Sequence, residues 1–467
     1  MTAATATARN DAADRLQQLD RAHVLRPWLH FRSARRESPL VITRGEGCHL
    51  WDANGERYLD AVGGLWCTNI GLGRAEMAQA IAEQVARLGY SNTFADMTND
   101  VSTELAAKVA SLAPGGLDHV HFTTGGSTAI DSAFRMVQFY QTCMGRPEKT
   151  QVIARDLSYH GSTYIAMSVG KRPGDRVPEF RYRSDGIHHV SAPLYYRAPE
   201  GMSEAEFTDH LIAEFEAKIA EVGPERVGAF FAEPIQASGG VVVPTEGYLP
   251  RMAEVCRRHE ILFIADEVVT GWGRIGHWFA SLDAFGVQPD IICTAKGLTS
   301  GYQPLGAVIF SDRIRLAMEG DRWYASGYTY SGHPVACAAA LKNIEIMQRE
   351  NLLAHALEVG GYFQQALARL GDLPLVGDVR GRGLMACIEN VADKATKRLL
   401  PDAANVGKRI SNAAEDLGLI VRPMGHLNVL SPPLVISRDQ VDEVADKLGR
   451  AMRRVTDDLV KEGVRIG

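Results

Sequence analysis

Lys296 stands directly after the apolar run IICTA (291–295) and before Gly297. A lysine at the end of a buried strand presents its amine in partly dry surroundings, where the neutral, nucleophilic form is favoured. Asp266 and Glu267 end a second apolar run, ILFIA (261–265), thirty residues upstream. That separation is about one strand–helix unit, so parallel neighbours bring the amine and the carboxylates to one sheet edge. TTGGST (123–128) closes a third run and opens a helix with Ala129, Phe134 and Val137 on its inner face. Free N–H groups at a helix N-terminus, joined by the Ser127 and Thr128 hydroxyls, make a seat for a phosphate. Tyr159-His160-Gly161 follows VIARDLS, where an aromatic side chain can stack on a planar ring. Arg422, in GLIVRPMG (418–425), offers a bidentate fork for a carboxylate. Each has an ordinary reading alone: a solvated lysine, a helix cap, a tight turn, simple packing, a surface arginine. Together they describe amine chemistry on a phosphorylated heteroaromatic ring, in which a carboxylate facing a pyridine nitrogen keeps that nitrogen protonated.

Other chemistries lack their spacing. The turn at 123–128 has neither GxGxxG nor a Walker GK[ST], which argues against nicotinamide or ATP. The fourteen histidines include no HExxH or similar arrangement, so no metal site is expected.

These residues need a scaffold. From about residue 100 to 335 short apolar runs alternate with longer amphipathic segments, the pattern of a mainly parallel α/β sheet. VHFTT (120–124), VGAFFA (227–232), ILFIA and IICTA are its clearest strands, and ligands bind where such strands end. Ahead of it, GEGCHLWDANGERYLDAV (45–62) predicts a hairpin turning at Asp52–Gly55. Behind it come a helical segment, GDVRGRGLMACIE (377–389) and a final amphipathic helix from Ser437. The expected division is a loose tail over 1–12, a large domain over 76–335, and a smaller α/β domain built from 13–75 together with 336–467.

The composition allows a large core: 467 residues, 46% hydrophobic and 23% charged, with net charge −6 and no long run of one sign. Nothing in it favours a nucleic acid or an anionic membrane as partner. Seven scattered cysteines without a CxxC pair fit reduced thiols in a cytoplasm. The N-terminus lacks the basic start and apolar block of a signal peptide.

EPIQASGG (233–240), IADEVVTGWGRIG (264–276), TAKGLTSGYQPLGAV (294–308) and YTYSGHPVACAAAL (328–341), in that order, resemble the class III aminotransferases of fold-type I. TRGEGCHLWDANGERYLDAVGGLWCTNIGLGR (43–74) is similar to the amine:pyruvate and ω-amino acid:pyruvate branch, and the resemblance runs from about residue 20 to the C-terminus. It implies a large domain with a mainly parallel seven-stranded sheet, and pyridoxal 5′-phosphate (PLP) as cofactor. Lys296 would carry the cofactor covalently and shuttle a proton, Asp266 would pair with the pyridine nitrogen, and Glu233 would lie beside both. Val268 and Tyr159 would sandwich the ring. Gly126, Ser127 and Thr128 would hold the phosphate, with Thr329 and Tyr328 reaching in from a partner subunit, so that a homodimer is the smallest working unit, with a dimer of dimers left open. Trp66 and Trp28 would line the substrate pocket beside Tyr159 and the carboxylate-binding Arg422, although core packing explains Trp66 equally well.

Two positions depart from the family. The phosphate turn reads Gly126-Ser127-Thr128 where GSE is usual. Ser238 stands where 2-oxoglutarate-using relatives carry a glutamate that masks the arginine. The expected activity is therefore transfer of an amino group from a primary amine or ω-amino acid to pyruvate, giving alanine. Transamination with 2-oxoglutarate, and racemisation, decarboxylation or internal amino transfer on the same scaffold, are the enzyme alternatives. A PLP-sensing regulator would need a DNA-binding domain, for which the roughly twenty residues ahead of the resemblance are expected to be too few.

Overall fold

The computed structural model describes residues 3–34 and 38–467. Its largest sheet has seven strands in the order His119–Thr123, Gly306–Phe310, Ile291–Thr294, Leu262–Asp266, Val227–Ala232, Gln151–Arg155 and Ile187–Val190. The last five pair in parallel, whereas Gly306–Phe310 runs antiparallel to both its neighbours. Val227–Ala232 and Leu262–Asp266 are buried at every position, as expected of parallel strands covered on both faces. Successive side chains alternate between two cores. Phe230, Phe263, Ala265 and Ile292 enter one, while Phe231, Ile264, Cys293 and Val308 enter the other, under the helix Gly126–Cys143.

Both termini contribute to a second layer of structure. The expected hairpin forms from His49–Asp52 and Arg57–Asp60, with Asp52 Oδ1 accepting from the backbone N–H groups of Asn54 and Glu56. Leu419–Ile420 joins it in parallel beside Leu59–Asp60, which ties the C-terminal part of the chain to the N-terminal part. A further four-stranded sheet runs Val376–Arg382, Met385–Asn390, Leu427–Leu430, Arg422–Met424. The last helix, Arg438–Lys461, starts at the expected Ser437, whose side chain and that of Gln440 cap each other's backbone N–H, an arrangement that contributes roughly 1 kcal/mol.

The N-terminal segment departs from expectation. Instead of a loose tail over 1–12, a helix spans Ala3–His23, with Met1 and Thr2 outside the described residues. Its first half is rich in alanine, the best helix former, a preference that acts without a strong apolar stripe. No described helix is long and apolar enough to cross a membrane, and none of the seven cysteines is disulfide-bonded.

Candidate active site

Three loops meet beyond the carboxyl ends of the central strands. Asp266 pairs in register with Cys293, three residues before Lys296, so the sheet itself sets carboxylate and amine side by side. Lys296 leaves the strand with φ +47 in a short 3-10 turn. Its position beside Gly297 is tight, because a Cβ there would meet Trp272 Cβ at 2.8 Å. Burial holds the lysine amine below its ordinary range, opposed by the negative charge of Asp266 and Glu233 and aided by Arg422. The neutral, nucleophilic form is favoured in consequence.

Asp266 is buried and fully engaged on its protein side. Oδ1 accepts from the Val268 N–H at 3.1 Å, and Oδ2 lies 2.7 Å from His160 Nδ1. The His160 Nε2 is buried and unpartnered. Glu233, behind it, accepts from the N–H groups of Tyr159 (3.1 Å) and Ala237 (3.0 Å). Burial raises the Glu233 carboxyl above its usual range, with the Asp266 charge acting in the same direction and His160 and Arg155 against it.

The turn before the helix Gly126–Cys143 is an open cradle. Thr128 Oγ1 closes it from within, donating to Gly125 O at 2.9 Å and accepting from Thr124 N. Among the described residues the N–H groups of Gly126, Ser127 and Thr128 meet no acceptor, while Ser127 Oγ accepts from Ser162 N at 3.0 Å. Two glycines keep the cradle clear. A Cβ at Gly126 would touch Val268 Cγ1 at 3.0 Å, and one at Gly161 (φ +136) would sit 2.7 Å from Ser127 Cα. Three free donors at a helix N-terminus suit a phosphate.

Tyr159 packs at the mouth, its ring centroid 6.0 Å from that of Trp28, which is 56% exposed. Trp66 is 2% exposed, packed with Ile235, Ala237 and Val241, and its Nε1 has no partner. Arg422 begins its strand half-buried and makes no ion pair among the described residues; Ser238, where relatives carry the masking acid, is buried. Burial and the neighbouring Arg172 charge lower the Arg422 guanidinium from its ordinary value.

Tyr328 differs from its expected role. Its hydroxyl donates to Thr128 O of the same chain at 3.1 Å and accepts from Ser132 Oγ, so it braces its own turn instead of reaching in from a partner. The backbone folds back here because Ser331 Oγ receives the Tyr328 N–H. Thr329 is exposed, and its carbonyl accepts from Tyr90. Sequence reading left His160 undecided and passed over Arg155, Arg172 and Asp175; only the tripeptide Tyr159-His160-Gly161 marked the region.

A buried carboxylate, a lysine of lowered basicity just beyond the next strand and a glycine-cleared anion cradle define a fold-type I, PLP-dependent transferase site. The chain belongs to the class III aminotransferases, whose family model, "Aminotransferase class-III", matches residues 32–452. It is 41% identical to a putrescine–pyruvate aminotransferase of Pseudomonas aeruginosa over 92% of this chain and 93% of that one. A diaminobutyrate–2-oxoglutarate transaminase of Halomonas elongata is 40% identical over 91% of this chain and 92% of its own. Among solved structures, an (S)-enantioselective ω-transaminase from Thermomicrobium roseum superposes with TM-score 0.92 at 43% identity, covering 95% of this chain and 98% of that one.

Class III aminotransferases use PLP, and the cradle, the carboxylate and the lysine fit its phosphate, ring nitrogen and carbonyl. Gly161→Ala is expected to weaken PLP retention about tenfold or more, the effect of one to three kcal/mol of strain at the phosphate turn. Titration of the apoprotein with PLP, beside an unchanged circular dichroism spectrum, measures it; unaltered affinity contradicts the assignment of the cradle.

Proposed function

We propose that this aminotransferase moves an amino group from a primary amine or ω-amino acid to pyruvate, giving alanine, in two alternating half-reactions. The observation that carries this reading is Arg422, which makes no ion pair among the described residues, at an aromatic mouth with Ser238 in place of a masking acid. A guanidinium free of a carboxylate partner is ready for that of a small 2-oxo acid, while Tyr159 and Trp28 offer apolar contact to an amine. The similarity to a putrescine–pyruvate aminotransferase supports the same acceptor.

When bound, the protonated pyridine ring supplies an electron sink for the pair released at the substrate carbon. The protein does the rest. Lys296 Nζ, kept neutral by burial, would take the proton from the carbon bearing the amine and release it on the other side of the C–N bond, so that the amino group stays behind when the carbonyl product leaves. Asp266, held by Val268 N–H and His160, would pair with the ring nitrogen, with Glu233 behind. The N–H groups of Gly126, Ser127 and Thr128 would hold the phosphate, and Tyr159 and Val268 would pack against the ring. Trp28 would border the substrate space, whereas Trp66, 2% exposed and packed against Ile235, Ala237 and Val241, takes the core-packing role.

The working unit in this reading is a cytoplasmic homodimer. An open cavity of about 680 Å³, lined by Phe94, His121, Trp323 and Tyr324, adjoins exposed Met97, Tyr330 and the 84% exposed Trp323. An apolar patch of this kind needs a cover, and a second copy would bring Thr329 towards the neighbouring phosphate turn. The large domain is taken as 76–335, and the smaller as 13–75 with 336–467.

An absorbance spectrum tests the activity. The yellow band of the holoenzyme is expected to bleach on adding an amine and to return, with stoichiometric alanine, on adding pyruvate. A band that never bleaches removes the transaminase reading and leaves the cofactor; recovery with 2-oxoglutarate alone selects the other acceptor.

A further inference from the structure

A second arginine stands at the mouth. Arg172 packs beside both aromatic rings, its guanidinium carbon 5.0 Å from the Tyr159 centroid and 6.0 Å from that of Trp28, which are themselves 6.0 Å apart. Asp175 grips it along one edge. Nε donates to Asp175 Oδ2 at 2.9 Å and Nη2 to Asp175 Oδ1, while the Trp28 indole N–H donates to Oδ1 at 2.9 Å. The carboxylate is itself anchored by a short turn, Pro173–Asp175, whose Asp175 carbonyl accepts from the Tyr182 hydroxyl, which also receives the Val177 N–H. Arg172 is thus fixed in place although 13% of its side chain is exposed.

The grip uses only part of the fork. A guanidinium has five N–H donors, and Asp175 takes the Nε edge. Nη1 makes one long contact, 3.5 Å to Met424 Sδ. One N–H on each terminal nitrogen is therefore without a partner among the described residues and available to a second carboxylate. Met424 and Arg422 lie two residues apart on one strand, so their side chains share a face, and Arg172, which touches Met424, is near enough for its charge to act on Arg422. Two guanidiniums and one carboxylate leave this mouth net positive.

Resting on the function proposed above, we infer that Arg172 is a specificity-determining residue that contacts the far end of the amino donor. It accepts a distal carboxylate and repels a distal ammonium. The donor class is then the ω-amino acids in preference to diamines. The near end of the donor would lie at Lys296.

Three donors of equal length and different far ends test this: 4-aminobutyrate, butylamine and 1,4-diaminobutane, each with pyruvate as acceptor and the holoenzyme. Wild-type kcat/KM is expected to fall in that order. Arg172→Gln is expected to lower the ratio of 4-aminobutyrate to 1,4-diaminobutane about tenfold or more, the scale of a lost charge-assisted contact, and to leave butylamine within about threefold. Arg172→Lys keeps the charge and is expected to retain the order, which separates charge from lost packing against Tyr159. Calorimetry with glutarate, which carries two carboxylates and no amine, gives a readout without turnover. Its Kd is expected to rise about tenfold in Arg172→Gln. Unchanged donor ratio and unchanged glutarate affinity overturn the inference. A wild-type enzyme that uses none of the three amines instead removes the proposed function, and the glutarate titration then still decides the role of Arg172.

Discussion

Lys296→Ala is expected to lower turnover by about four orders of magnitude or more, because one side chain provides both the covalent attachment and the proton transfer. The fold makes this side chain hard to replace. It emerges in a left-handed backbone conformation from a strand whose register with Leu262–Asp266 fixes the distance to Asp266. The adjacent His160 cannot substitute, because its Nδ1 is turned into Asp266 at 2.7 Å. Borohydride reduction followed by mass spectrometry separates loss of attachment from loss of folding. The wild-type chain is expected to retain the mass of the cofactor and the alanine variant to lose it while still binding PLP through the cradle. A variant that transaminates at a rate comparable to wild type would falsify the assignment.

Asp266→Ala is expected to slow the first half-reaction by about 10²–10³-fold, the range for removing one preorganised electrostatic contact from a site. Two effects combine. The negative charge opposite the ring nitrogen disappears, and His160 Nδ1 loses its partner in a buried setting, which costs a further 1–3 kcal/mol of local stability. Asp266→Asn separates them, because it keeps a hydrogen-bonding group beside His160 and removes the charge alone. Stopped-flow mixing of the yellow enzyme with amine, under pyruvate-free conditions, reads the rate directly. A full-speed half-reaction in the asparagine variant shows that the charge at this position is dispensable.

Much of the scaffold was legible because apolar runs of four to six residues have few other uses: VGAFFA, ILFIA and IICTA became strands within a residue of their expected limits. Turn residues marked the hairpin at Asp52–Gly55 and the cap at Ser437 for the same reason. The direction of Gly306–Phe310 was less visible, yet its cause is plain, since the short link 295–305 has no room for the helix that a parallel crossover requires. Within the site, the residues that end strands could be placed by register. Side chains that meet across 106 positions, as His160 and Asp266 do, or across 147, as Trp28 and Asp175 do, leave no periodic trace. Tyr328 illustrates the converse: its neighbourhood was foreseeable, but which copy of the chain it serves depends on a backbone reversal set by Ser331. The helix Ala3–His23 shows that propensity can act where no amphipathic stripe announces it.

The order of strands also bears on how the protein is made. His119–Thr123 lies at the edge of the large sheet, and its one neighbour there is Gly306–Phe310, nearly two hundred residues later. A ribosome must therefore release about two-thirds of the polypeptide before the phosphate turn acquires the strand that steadies it, and Arg422 follows only near completion. Such distant pairing is intrinsically slow to form. Until then the growing chain carries an unpaired edge strand and an unfinished vitamin-binding cleft, so loading of the cofactor belongs to the end of biosynthesis, and products of premature termination would emerge empty.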